Sequence, residues 1–196
     1  MNFLAHAYLS FGHKEVLVGN MISDFVKGNA AQRYPPGIRS GILLHRQIDE
    51  FTDQHPVTRE AKEVFRPHYR LFSGVITDIL FDHFLANDPH CFAPEGLLAF
   101  SQEVYRVLEE YSAHLPPHFI QAFAYMKTEN WLYQYHTTPA MEKSIRGLVR
   151  RSSFFSDSHT AFELFLQHYS FLQQCFTLFF KDVKIFAKQQ FDRLTA

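Results

Sequence analysis

Apolar positions recur at three- and four-residue intervals along most of the chain, the spacing that gives a helix one buried stripe. Leu4, Ala7, Tyr8 and Phe11 form such a stripe behind Asn2, a good N-cap, and predict a short helix from Phe3 to about Phe11, stopped at Gly12. Residues 14 to 27 predict a second helix, with Val16, Val18, Met21, Ile22, Phe25 and Val26 packed, Asn20, Asp24 and Lys27 in a polar line, and Gly28-Asn29 closing it. After Pro35 a helix runs from about Pro36 to Asp53, and Pro56 starts another that reaches Phe65. Further helices are expected from His68 to Ala86, Pro94 to Tyr111 and Phe119 to Met126, with a turn at Trp131. Thr138-Pro139 caps a helix to Arg151, and a Ser-rich link at 152 to 158 leads to a long helix from Thr160 to about Leu194. No Val/Ile/Thr-rich run alternates between hairpin signals, so no strand is expected. The predicted fold is all-α, a single-domain helical bundle without internal repeat or composition break.

Polar groups that interrupt the apolar helices are the candidates for chemistry. His45 and Asp49 stand four residues apart, one above the other on a helix face, with Asp53 continuing the row and His55 just before Pro56. The helix ending at Ala86 repeats the device with Asp78 and Asp82, and His83 beside them; Asp24 and His6 lie upstream. Carboxylates on apolar helices are costly to bury unless something positive faces them. Mixed imidazole and carboxylate donors suit Mn²⁺, Fe²⁺ or Zn²⁺. The competing reading is a charge network of these Asp residues with Lys27, Arg39 and Arg46 that only holds helices together.

Composition narrows the classes. The 196 residues are 46% hydrophobic and 20% charged, an ordinary globular balance; the 22 Phe imply a core or groove of aromatic wedges. A formal net charge of −1 gives no global attraction to nucleic acid or an acidic membrane, so a charged partner must be met by a local patch. Lys143, Arg146 and Arg150 supply one, at i, i+3 and i+7 with Arg151 adjacent, a ridge suited to an acidic partner. Cys91 and Cys175 belong to no CxxC pair and are expected as reduced thiols. His6 interrupts the apolar start and no positive n-region precedes it, which argues against a signal peptide; no window is long and apolar enough for a membrane span, so a cytoplasmic setting is expected. Dinucleotide, Walker, nucleophile-elbow and HExxH motifs are absent, and no Glu has a His three residues later as a ferritin-like di-metal site requires.

Several runs are more specific. Met1 to His6, Gly19 to Gly28, Gly41-Ile42 with Leu44 to Asp49, Thr52-Asp53, and Asp78 with Asp82-His83-Phe84-Leu85 strongly resemble the acyl carrier protein phosphodiesterases, or holo-ACP hydrolases. Trp131-Leu132 and Gly147 to Arg151 extend the likeness more loosely to the rest of the chain. The resemblance implies an HD-domain-like fold, with metal-site helices in residues 1–90 and accessory and docking helices in 91–196. It implies a Mn²⁺-dependent hydrolase, with Fe²⁺, Mg²⁺ or Zn²⁺ as alternatives, that removes 4′-phosphopantetheine from the serine of holo-acyl carrier protein. The His-Asp dipeptide of HD enzymes is not here; Asp82-His83 is its reverse.

On that reading His6, Asp24, His45, Asp82 and His83 are the expected ligands. Asp49, Asp53 and Asp78 would orient imidazoles or accept a proton from water, and Lys27 and Arg46 would offset charge on the phosphoryl oxygens. Lys143, Arg146, Arg150 and Arg151 become the ridge that docks the acidic carrier, and Phe side chains would line a slot for its pantetheine arm. Two other readings compete: an HD-type phosphohydrolase of a small nucleotide or phosphate ester, and a non-catalytic helical adaptor.

Overall fold

A computed structural model describes residues 1–152 and 157–196, apart from the side chain of Arg151, and among these it contains helices and no strand. The twelve α-helices are α1 (Phe3–Tyr8), α2 (Lys14–Ile22), α3 (Pro36–Gln54), α4 (Pro56–Glu63), α5 (Arg66–Tyr69), α6 (Ser73–Ala86), α7 (Gly96–Glu110), α8 (Pro117–Thr128), α9 (Trp131–Gln134), α10 (Thr138–Arg151), α11 (His159–Gln167) and α12 (Tyr169–Thr195). Their buried faces join in one core that includes Leu4, Ile22, Ile48, Leu80, Phe119, Phe165 and Phe179. The all-α expectation therefore holds.

Most element ends follow local chemistry. Pro36, Pro56, Pro117 and Pro139 sit in first turns, where a missing N–H costs nothing. The cap of α10 is Thr137 rather than the Thr138-Pro139 pair, its side chain accepting from the Ala140 N–H at 3.3 Å. Three boundaries differ from the periodic reading because tertiary contacts override it. The second helix ends at Ile22 and tightens into a 3-10 turn, Ser23–Phe25, whose Ser23 hydroxyl donates to the Ile42 carbonyl at 3.3 Å. The expected His68–Ala86 helix is interrupted at Arg70, which has φ +47°. The expected Thr160–Leu194 helix is broken at His168, so that Phe165 and Tyr169 both lie against the ring of His83.

The contact that matters for the site is between α2 and α3. Gly19 and Gly41 face each other there: a Cβ at Gly19 would lie 2.0 Å from the Ile38 carbonyl oxygen, and one at Gly41 2.2 Å from that of Val16. The two backbones touch where neither helix has a side chain. This brings Asn20 within hydrogen-bond range of His45, which donates from Nδ1 to the Asn20 carbonyl at 2.7 Å. The last helix, α12, also packs along α3.

Candidate metal centre

His6 from α1 and His45 and Asp49 from α3 converge, each offering an atom within 4.8 Å of the others; among the described residues they form the one His/Asp group compact enough to hold an ion. Both imidazoles are buried and stack face to face, centroids 3.8 Å apart at 13°. Asn20 holds both. Its side-chain amide donates to the His6 carbonyl at 2.8 Å and to Ser10 Oγ at 3.1 Å, which turns its Oδ1 toward His6 Nδ1 at 3.0 Å, while its own carbonyl accepts from His45. With each Nδ1 committed to a donor role, each Nε2 is left facing Asp49, His6 to Oδ1 at 3.2 Å and His45 to Oδ2 at 3.0 Å.

The electrostatics of the two rings differ. Burial, reinforced by the neighbouring His45, lowers the His6 pKa to about 4, so the ring is neutral at pH 7. With the Nδ1 proton given to Asn20, His6 Nε2 then presents a bare lone pair to a carboxylate, a contact that is favourable only when positive charge lies between them. Burial would also lower His45, but hydrogen bonds to Asp24, 3.2 Å away, and Asp49 prevail and hold its pKa near 9. Burial opposes ionisation of Asp49, yet its bonds to His45 and His6 keep it well below the usual carboxylate range. The α-amino group of Met1 adds a contact at 3.5 Å to Asp49 and one at 3.0 Å to Asp78; burial disfavours its charge, but the two carboxylates raise its pKa to about 10. The donor set, two imidazoles locked through Nδ1 and an ionised carboxylate, fits a divalent cation that accepts nitrogen and oxygen ligands. Asp24, its side chain 70% exposed, and Asp49, 38% exposed, leave one side of the cluster open to solvent.

A sequence profile of the acyl carrier protein phosphodiesterase family matches residues 1–183. The chain belongs to that family. Proteins bearing the same name from Yersinia pestis (35% identical over 185 residues, 92% of this chain and 94% of the relative), Enterobacter sp. strain 638 (32% over 195 residues, 97% and 99%) and Salmonella paratyphi A (33% over 181 residues, 92% and 94%) are similar along nearly their whole length. No solved structure matches. Acyl carrier protein phosphodiesterases are phosphoric diester hydrolases, and the cluster of His6, His45 and Asp49 lies within the segment that carries the family match.

The other residues singled out in the sequence are placed as follows. Asp24 reaches His45 from the 3-10 turn, and Asp78 joins the edge of the cluster through the Met1 amine. Asp82 and His83, expected as ligands, are turned away. Asp82 is fully buried and accepts from the backbone N–H groups of Leu4 at 2.8 Å and Ala5 at 3.1 Å, so it caps α1 from a distance. Burial raises its pKa to about 7 against the pull of those two donors. His83 is held between the Tyr135 carbonyl (Nδ1, 2.8 Å) and the Tyr169 hydroxyl (Nε2, 3.0 Å), and burial lowers its pKa. Asp53 is exposed and paired with Lys62 at 2.8 Å. Arg46 donates to the Val26 carbonyl at 2.8 Å, and Lys27 is exposed at the end of the 3-10 turn.

On α10, Arg146 and Arg150 are exposed, and among the described residues no carboxylate lies in ion-pair range of either; Lys143 is paired with Glu129 at 2.6 Å. The side chain of Arg151 and residues 153–156 of the Ser-rich link lie outside the described residues. The Phe side chains are largely spent on the core, and Phe3 alone among them lines the cavity beside α10. Asn20 is the site residue that periodicity undervalues. Its signal was an amide in the middle of the apolar run Val16 to Ile22, next to Gly19, where a helix has no packing use for one.

Proposed function

We propose that the protein is a divalent-metal phosphodiesterase that releases 4′-phosphopantetheine from the serine of holo-acyl carrier protein, with Mn²⁺ as the working ion and His6, His45 and Asp49 as its ligands. The observation that carries this reading is the pair of Nε2 atoms aimed at one carboxylate while both Nδ1 atoms are tied to Asn20. A cation held there supplies a hydroxide-like nucleophile at neutral pH and positive charge at the phosphoryl group. Water adds to phosphorus, the bond from phosphorus to the serine oxygen breaks, and the serine leaves as its alcohol. Asp24, exposed on the open side of the cluster, takes up the proton of the attacking water and gives it to the departing serine oxygen. Arg46, which follows His45 on α3, and the exposed Lys27 offset the charge that builds on the non-bridging oxygens. Arg146 and Arg150 meet the acidic surface of the carrier.

Mass spectrometry of holo-acyl carrier protein incubated with the Mn²⁺-loaded enzyme tests this. A mass loss equal to the prosthetic group is expected for the wild type, with the rate falling at least about 1,000-fold in Asp49→Ala, since a ligand and its charge are both lost. Unmodified holo-carrier after incubation with the wild type refutes the reading.

A further inference from the structure

A cavity of about 580 Å³ lies between α10, the α9 turn and the start of α1. Its size is that of a small-molecule site. Its wall alternates in character: Ile79, Trp131 and Leu148 give apolar surface, whereas Asn2, Gln134 and Ser144 give hydrogen-bonding groups. That mixture suits a flexible chain in which amides alternate with methylene segments, because each buried amide needs a partner and each hydrocarbon segment a dry surface.

Position adds a direction. Asn2 follows Met1, whose amine contacts Asp78 and Asp49, and Ile79 follows Asp78, so two lining residues are chain neighbours of the ion pair at the edge of the cluster. Lys143 and Arg150, two turns apart on α10, also line it. The cavity thus borders the basic ridge on one side and the chain neighbours of Met1 and Asp78 on the other. Its indole wall is held in place: Glu129 accepts from Trp131 Nε1 at 3.3 Å and from Lys143 at 2.6 Å. None of these residues belongs to the donor set.

We infer that this cavity is the slot for the pantetheine arm, with the arm's amides against Asn2, Gln134 and Ser144, its dimethyl and methylene segments against Ile79, Trp131 and Leu148, and its phosphate end toward Asp49. The inference rests on the carrier-protein reading of the cluster, but it fails separately. Trp131 is the only tryptophan in the chain, so its fluorescence reports entry into the slot without any turnover.

The test titrates the protein with 4′-phosphopantetheine. A saturable change in Trp131 emission is expected. Gly147 provides the blocking variant, because a Cβ there meets nothing within 4 Å, and Gly147→Leu extends into the slot while improving the helix former at that position. In Gly147→Leu, shown to be folded by circular dichroism, the fluorescence response should weaken by at least about tenfold and the KM for holo-acyl carrier protein should rise by a similar factor. A wild-type emission unmoved by 4′-phosphopantetheine, or a Gly147→Leu protein that binds it as the wild type does, overturns the slot. Failure of the enzymatic reading looks different: the wild type forms no apo-carrier, whatever the fluorescence does.

Discussion

The α1–α3 corner and the middle of α6 carry the same residue types, His with Asp at helical spacing in apolar surroundings, and they are used in opposite ways. At the corner, Asn20 takes one nitrogen of each imidazole and leaves the other two nitrogens aimed at Asp49. On α6, both oxygens of Asp82 are consumed by the backbone of α1, and both nitrogens of His83 by Tyr135 and Tyr169. A candidate ligand set therefore differs from a structural network less in its residue types than in whether its remaining donor atoms converge on one point or are each taken by a separate partner.

Three measurements press on that contrast. Asn20→Ala should have the largest effect: with His6 released from its orienting bond, Mn²⁺ affinity measured by calorimetry should fall roughly 10–100-fold. An unchanged affinity would mean that the rings are placed by packing alone. The second effect is in pH. His45, held near pH 9, must shed its proton to ligate, so Mn²⁺ affinity should rise about tenfold per unit as pH climbs toward 9 and then level off. Without metal the sign reverses. The raised pKa stabilises the fold fully below pH 6.5, and that contribution is lost as pH rises through 9. A flat affinity profile between pH 7 and 9 would remove His45 from the donor set. The smallest effect on the metal should come from Asp82→Asn, which leaves one N–H of α1 poorly met. Denaturant unfolding should show a loss of about 1–3 kcal/mol, with Mn²⁺ affinity of the folded protein retained. Loss of metal binding in that folded variant would erase the distinction between the two regions.

Much of the fold was legible because it is local. The stripe of α3 and its Pro36 start place the helix within a residue of its observed end at Gln54, and the i, i+4 relation of His45 to Asp49 follows from that helix alone. What was not legible depends on pairing between distant segments. The helix of Asp82 carries no hint that the N-terminus of α1, 77 residues earlier, needs a cap, so its periodicity alone groups Asp82 with the ligands. The sequence expects Asp49 to orient an imidazole; that its carboxylate meets both rings depends on His6, whose position is set by Asn20 and not by α3. Lys143 fits the periodicity of a basic ridge, but its charge is met by Glu129, which lies on the loop before α9 and outside the helix that the pattern describes.

The Gly19–Gly41 contact ties the chemistry to the fold's tightest tolerance. Side chains in a core can exchange volume with their neighbours, but two touching backbones have nothing to exchange, so the separation of α2 and α3 is fixed by hard contact. Because the carbonyl that orients His45 belongs to the residue after Gly19, the bite of the donor set is machined to that separation. If the cluster holds an ion, its affinity is also a gauge of helix spacing: a change elsewhere that prises the pair apart by a fraction of an ångström would be read out as a weaker ion long before it was seen as unfolding.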